Sequence, residues 1–255
     1  MADGSVKRRP ALHRRESIWI GWDPREAAAF AVARESCRRH LTRQIPIHGL
    51  LLDDLIRQKL YTRPFEYRYP AADKPQMWDL VSDAPQSTQH ANARFFIAIL
   101  AKTGWALFTD GDVLFRGNAC RIFEQLDNDK AVYCVKHDHT PAKATKMDGQ
   151  LQTRYARKNW TSVMAVNVDH PSNKKLFDLE FLNTTPGRDL HAFCWLTDKE
   201  IGELDPVWNH LVGTSDPQVS ATIAHFTNGV PDMAGYENQR YGDEWRAARD
   251  AWVRG

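Results

Sequence analysis

The sequence predicts an α/β fold with a mostly parallel central sheet and helices on both faces. Three observations carry that expectation. Short apolar, strand-like runs alternate with helix-like segments along the chain. At 255 residues, with 42% hydrophobic and 26% charged side chains, the chain can bury a large core and is not of disordered composition. Acidic residues stand at two strand ends, where sheets of this class gather their ligands.

Residues 17–22, SIWIGW, read as a buried first strand. Asp23-Pro24-Arg25-Glu26 then opens a helix, with Asp at the cap, Pro in the first turn and Glu three residues beyond the cap. Ala27, Phe30, Ala31 and Leu41 fall near helical spacing. Residues 45–52 suit a second strand, followed by a helix capped at Asp53 or Asp54. Residues 61–86, with several prolines and tyrosines, read as irregular. Residues 87–103 form the clearest helix, apolar on most sides through FFIAIL, and Gly104 is its stop signal. An apolar strand ending in two acids follows directly. Further strands are expected over 131–136, 162–168 and 222–226, and helices over 173–182, 197–204 and 243–252. No repeat, low-complexity stretch or linker interrupts the chain. A basic tail over residues 1–16 and a single domain over 17–255 is the simplest organisation.

A net charge of +2 gives no global argument for a polyanionic partner. Lys7, Arg8, Arg9, Arg14 and Arg15 crowd the start and read as a solvated end. No transmembrane segment is expected, because the best apolar run, residues 95–101, is stopped by Lys102. The start lacks the apolar stretch of a secretion signal. Cys37, Cys120, Cys134 and Cys194 have no metal-ligand spacing and read as reduced thiols of a cytoplasmic protein.

The chemistry concentrates in GWALFTDGDVLFR, residues 104–116. Residues two apart on an extended backbone share a side, so Asp110 and Asp112 converge. Gly111 between them lets a bound group approach the backbone. Two carboxylates so close repel unless a cation sits between them. Mg²⁺ and Mn²⁺ prefer oxygen ligands and bind through one or two carboxylates plus substrate phosphates. A nucleotide lying from Asp23 to this pair, its phosphates on the metal, uses both acidic strand ends. Farther on, His225 stands in an apolar run just before a Gly/Pro turn. Alone it reads as a core histidine; beside carboxylates its nitrogen is acceptable to Mn²⁺.

In order, over roughly residues 17–235, these features resemble a nucleotide-sugar glycosyltransferase of the GT-A (Rossmann-like) fold, in the pattern of glycosyltransferase family 8. That family includes glycogenin-like enzymes and bacterial lipopolysaccharide hexosyltransferases. The matching segments are IGWD, ANARFFIAIL, FTDGDVLF and HFTNG. The resemblance implies a divalent ion held by Asp110, Asp112 and His225, with Asp110 also near the ribose. Gly21, Trp22, Asp23, Gly111 and Ser162 would belong to the donor pocket. Arg94 would reach toward the acidic pair, the donor sugar or the diphosphate. Asp198 would orient sugar hydroxyls and stabilise an oxocarbenium-like centre; in an inverting enzyme, Asp198 or Glu200 would be the base.

The chain also departs from the family's pattern. Val230 replaces the Lys that usually precedes the late Pro, leaving Lys136, Lys143 or Lys146 to assist the leaving group. Trp160 stands where a sugar-binding Asn is usual, with Asn159 before it and Ser162 after it. Asp198-Lys199-Glu200 replaces Asp-Gln-Asp.

The expected reaction moves a hexose from UDP to an acceptor hydroxyl, with retention and with Mn²⁺ or Mg²⁺. The acceptor stays open among a saccharide, a lipid-linked glycan, a protein and a modified nucleic-acid base, and so does the oligomeric state. Two other readings stand beside it. A haloacid dehalogenase-type phosphohydrolase also places Asp-x-Asp at a strand end. A non-catalytic protein could bind the sugar nucleotide without turnover. His137-Asp138-His139 reads as loop polarity at the donor or acceptor site, and Trp208-Asn209-His210 as a packed tryptophan beside an Asn that could face the acceptor.

Overall fold

The computed structural model describes residues 15–71, 74–137, 157 and 159–254. β1 (Glu16–Gly21) leads through a 3₁₀ turn (Pro24–Glu26) into α1 (Ala27–His40), β2 (Ile47–Leu50) and α2 (Leu52–Arg57). β3 (Phe65–Ala71), β4 (Lys74–Asp79) and β5 (Ala84–Gln86) form a separate antiparallel sheet. α3 (His90–Ala93), a 3₁₀ turn (Arg94–Phe96) and α4 (Ile97–Ala101) run almost continuously into β6 (Trp105–Thr109). β7 (Val113–Phe115), α5 (Cys120–Glu124), β8 (Val132–Cys134) and β9 (Val163–Asn167) follow. The remainder comprises α6 (Leu179–Thr184), α7 (Gly187–His191), β10 (Ile201–Glu203), β11 (His210–Leu211), β12 (Ile223–His225) and α8 (Gly242–Arg254).

Six strands form the central sheet in the order β10-β8-β9-β6-β1-β2. β1 is parallel to β2 and β6, and β10 to β8, while β9 runs antiparallel to both its neighbours. The sheet is therefore mostly parallel with one reversed strand. That reversal brings the start of β9 to the edge where β6 ends. Alternation along each buried strand divides the core between two faces. Trp19, Ala106, Phe108, Met164 and Val166 pack with Ile97 of α4 and Leu182 of α6. Ile18, Ile20, Leu107, Val163 and Ala165 pack with Cys37 of α1 and Ile122 of α5. Helices thus cover both faces, each buried aliphatic side chain contributing roughly 1.5–3 kcal/mol.

A small sheet, β11-β12-β7, leans on this edge. β12 is antiparallel to β7, with His225 opposite Val113, and Phe226 N–H donates to the Asp112 carbonyl at 2.9 Å. That register fixes a late histidine beside the acidic pair.

Several local expectations are corrected. Residues 65–86 hold three strands. The segment expected as a helix at 197–204 is a 3₁₀ turn (Asp198–Glu200) followed by β10, because the Thr197–Glu200 capping box closes only one turn. α2 starts at Leu52, and Leu51 gives it no side-chain cap. Residues 173–182 are split between a 3₁₀ segment (Pro171–Phe177) and α6. The basic residues 1–14 lie outside the described residues, and β1 already begins at Glu16.

Candidate metal and donor site

β6 stops at Thr109, and the backbone turns sharply through Asp110, Gly111 and Asp112 before β7. The Asp110 N–H donates to the Ser162 carbonyl at 2.8 Å, tying the turn to the start of β9. A Cβ on Gly111 would lie 2.5 Å from the Gly21 carbonyl oxygen. Only glycine lets the ends of β1 and β6 meet this closely.

Asp110, Asp112 and His225 each offer one ligand atom, all within 4.8 Å of one another. His225 Nε2 is 3.2 Å from an Asp112 oxygen and 3.9 Å from an Asp110 oxygen. Two carboxylates and one imidazole suit Mn²⁺ or Mg²⁺. A nitrogen facing two carboxylates also needs a proton or a cation between them, so the donor set fits the ion. Burial lowers the His225 pKa, but the Asp112 and Asp110 carboxylates outweigh it and hold the group above the usual histidine value.

Asp110 is flanked by a guanidinium and an imidazole. Arg94 Nη2 lies 2.8 Å and His90 Nε2 3.2 Å from the same oxygen. Burial raises the Asp110 pKa, yet Arg94 and then His90 hold it well below the usual carboxylate range. Arg94 is fully engaged: Nε donates to the Ala91 carbonyl at 2.9 Å and Nη1 to the Thr161 carbonyl at 2.9 Å. The guanidinium also lies 4.8 Å from the centre of the Phe108 ring. His90 Nδ1 faces the Trp22 carbonyl at 3.2 Å. Its ring therefore bridges the Trp22 carbonyl and the Asp110 carboxylate. A Cβ on Gly21 would fall 2.5 Å from the His90 ring, so Gly21 makes room for this histidine.

Among the sequence candidates, Asp23 is buried and saturated. Its carboxylate accepts from Arg25 N, Nε and Nη2 and from Gln89 N, at 2.8–2.9 Å. Burial raises its pKa, and these donors more than reverse that. Trp22 is half-buried, edge-on to Phe30 at 5.1 Å. Ser162 Oγ donates to the Asn159 carbonyl at 2.7 Å. Asp198 is exposed and paired with Arg157, and no described contact joins it to Asp110 or Asp112. Glu200 takes hydrogen bonds from Ser172 Oγ, Thr197 N and Thr197 Oγ1, and these push it down to about 2. Lys136 lies 5.9 Å from the centre of the Trp160 ring. Val230 is buried. Asp138, His139, Lys143 and Lys146 lie outside the described residues.

Four further residues complete the site. His90 is one. Glu26, half-buried, is pushed up to about 7 by burial and by Asp112. His191 Nδ1 lies 2.6 Å from Thr161 Oγ1, and burial with the Arg94 charge pushes its pKa down to about 3, leaving a neutral imidazole beside Arg94. Asn209 sits buried against His225, Oδ1 to Nδ1 at 2.9 Å. The only sequence signal for these residues was polarity next to an apolar run.

No family model matches the chain. It is 34% identical over 249 residues to "Protein CDI" of Arabidopsis thaliana, covering 95% of this chain and 87% of that protein. Among solved structures, the galactosyltransferase LgtC in complex with donor and acceptor sugar analogs superposes with a TM-score of 0.59 at 13% identity, over 92% of this chain and 95% of that one. The bifunctional glycosyltransferase WbbM gives 0.55 at 13% identity over 94% of this chain, which spans about half (53%) of that protein. The glycosyltransferase GlyE of Streptococcus pneumoniae TIGR4 gives 0.53 at 13% identity, over 94% of this chain and 62% of that one. At these identities the likeness is one of fold, and the fold is GT-A.

Proposed function

The chain belongs to the family of Protein CDI and carries the GT-A fold, and we propose that it is a metal-dependent glycosyltransferase. The donor is a nucleoside diphosphate sugar, with UDP and a hexose the first choice, and the acceptor supplies a hydroxyl. The observation that carries this reading is the Asp110–Asp112–His225 cluster at the β6 edge of the GT-A sheet.

Asp110, Asp112 and His225 would hold a divalent ion, which when bound supplies Lewis-acid neutralisation of the departing diphosphate. The chain's own part is positional and electrostatic. Arg94 and His90 keep Asp110 ionised and fix its orientation. Val230 is buried and brings no charge, so Arg94 is the guanidinium that adjoins Asp110. Neutral His191 offers a polar surface on the sugar side without adding positive charge near an oxocarbenium-like centre. Retention requires no strong general base, since the departing phosphate oxygen can take the acceptor proton. In this reading Asp198 orients sugar hydroxyls once the donor is seated. No described helix is long and apolar enough to cross a membrane, and the four free thiols fit a reducing compartment such as the cytoplasm.

Calorimetric titration with UDP and with GDP tests the reading, run with Mn²⁺, with EDTA, and on Asp112→Ala. Metal-dependent nucleotide binding that the substitution abolishes is the expected result. No nucleotide binding under any condition overturns it, and phosphate release from simple esters would move the acidic pair to phosphohydrolase chemistry.

A further inference from the structure

We propose that Asn209 is the positioning residue that makes His225 a metal ligand, by holding its imidazole in the Nδ1–H form with Nε2 directed at Asp110 and Asp112. The inference rests on the metal reading of that cluster and adds a residue to it. Asn209 closes a 3₁₀ segment (Pro206–Asn209) whose Asp205 cap accepts from Val207 N at 2.9 Å, so its backbone is fixed just before β11.

The amide's orientation follows from its surroundings. Nδ2 faces Ser162 Oγ at 2.9 Å and the Asn159 carbonyl at 3.2 Å. The Ser162 hydroxyl spends its own hydrogen on the Asn159 carbonyl at 2.7 Å, so toward Asn209 it accepts. Both Nδ2 hydrogens are thereby placed, and Oδ1 is left facing His225 Nδ1 at 2.9 Å. An amide oxygen accepts only, so Nδ1 must carry the hydrogen. The lone pair of a neutral His225 then belongs to Nε2, on the side of the two carboxylates. Hydrogen-bond partners behind a ligating histidine fix its tautomer in this way, and losing one typically weakens metal binding 10–100-fold.

The same network reaches the other ligands. Ser162 accepts the Asp110 N–H through its carbonyl and the Asn209 amide through its hydroxyl. The start of β9 therefore holds an acidic ligand and, through Asn209, the histidine.

Two variants separate this role from simple packing. Asn209→Asp keeps an acceptor for Nδ1–H but cannot donate to Ser162 and Asn159; Asn209→Leu fills similar space with no acceptor. Mn²⁺ affinity, read by electron paramagnetic resonance of the free ion, should stay level or rise in Asn209→Asp and fall about 10–100-fold in Asn209→Leu. Equal losses in both, or an unchanged Asn209→Leu, would overturn the proposal. If the wild-type protein binds no Mn²⁺, the metal reading itself fails. Nitrogen NMR of ¹⁵N-histidine-labelled wild-type protein, metal-free at alkaline pH, tests the tautomer without metal or variant. His225 hydrogenated on Nδ1 supports the proposal, and hydrogenation on Nε2 defeats it even if Asn209→Leu does not fold.

Discussion

In the proposed metal site, Asp110 and His225 would meet the ion by opposite electrostatic routes. Asp110 is already ionised because Arg94 and His90 lie against it. Metal-free His225 is raised above its ordinary value by Asp112 and Asp110, so it keeps its proton to higher pH than a free imidazole. An entering cation must displace that proton. Metal binding should therefore release up to one proton below the raised pKa and none well above it, and affinity should climb with pH until that value is passed. Titrations in buffers of differing ionisation enthalpy measure the release directly. Glu26 predicts the opposite slope for the metal-free fold. Its folded pKa of about 7 exceeds the ordinary glutamate value, so stability falls as pH rises between the two and stays low above. Glu26→Gln should raise Tm by about 2–4 °C above neutrality and change little in acid, a contrast that thermal scans at two pH values resolve. Asp110, Asp112, Arg94 and His225 were legible because each sits in a short ordered motif. His90 and His191 were not, and Asn209 was read toward the acceptor rather than toward His225, because each meets its site partner about 15 or more positions away in the sequence.

The three-stranded β3–β5 unit shows what elements add. Arg63, just before β3, pairs with Asp79 at the end of β4, both side chains essentially inaccessible, at 2.7–2.9 Å through two nitrogens. Arg63 Nη1 also donates to the Leu182 and Thr185 carbonyls, closing the end of α6. The pair thus clamps the small sheet to a helix. Arg63→Met would strand a buried carboxylate and should cost about 3–5 kcal/mol, seen as a Tm lowered by about 10 °C or more. A mild effect would mean that Asp79 finds water or another donor. α1 is pinned similarly: Ser36 Oγ accepts the Phe115 N–H at 3.1 Å, fixing the helix against β7. The strands of 65–86 escaped the sequence reading because prolines suggested irregularity, although Phe65-Glu66-Tyr67-Arg68-Tyr69 alternates with period two. β10 escaped because a capping box imitates the start of a longer helix.

At the scale of the molecule, the alternation of strands and helices sufficed for the fold class, while the reversal of β9 depends on pairing that no local pattern encodes. Occupation of the site should stabilise the whole chain. With Mn²⁺ and UDP at about a hundredfold over Kd, linkage gives about 2.7 kcal/mol, or a Tm rise of about 5–10 °C. EDTA should remove the rise, and Asp112→Ala should never show it; a shift insensitive to both would place the nucleotide elsewhere. The reversed strand has an architectural consequence as well. The chain leaves the sheet after Cys134 and rejoins it at Val163, and between the two Trp160 Nε1 donates to the His137 carbonyl at 3.1 Å. That bond ties the described residues after β8 to those before β9. Closing a longer connection costs free energy only logarithmically in its length. A connection of different length between these two points should therefore leave the proposed ion-binding corner in place, so that one corner could serve a different clientele.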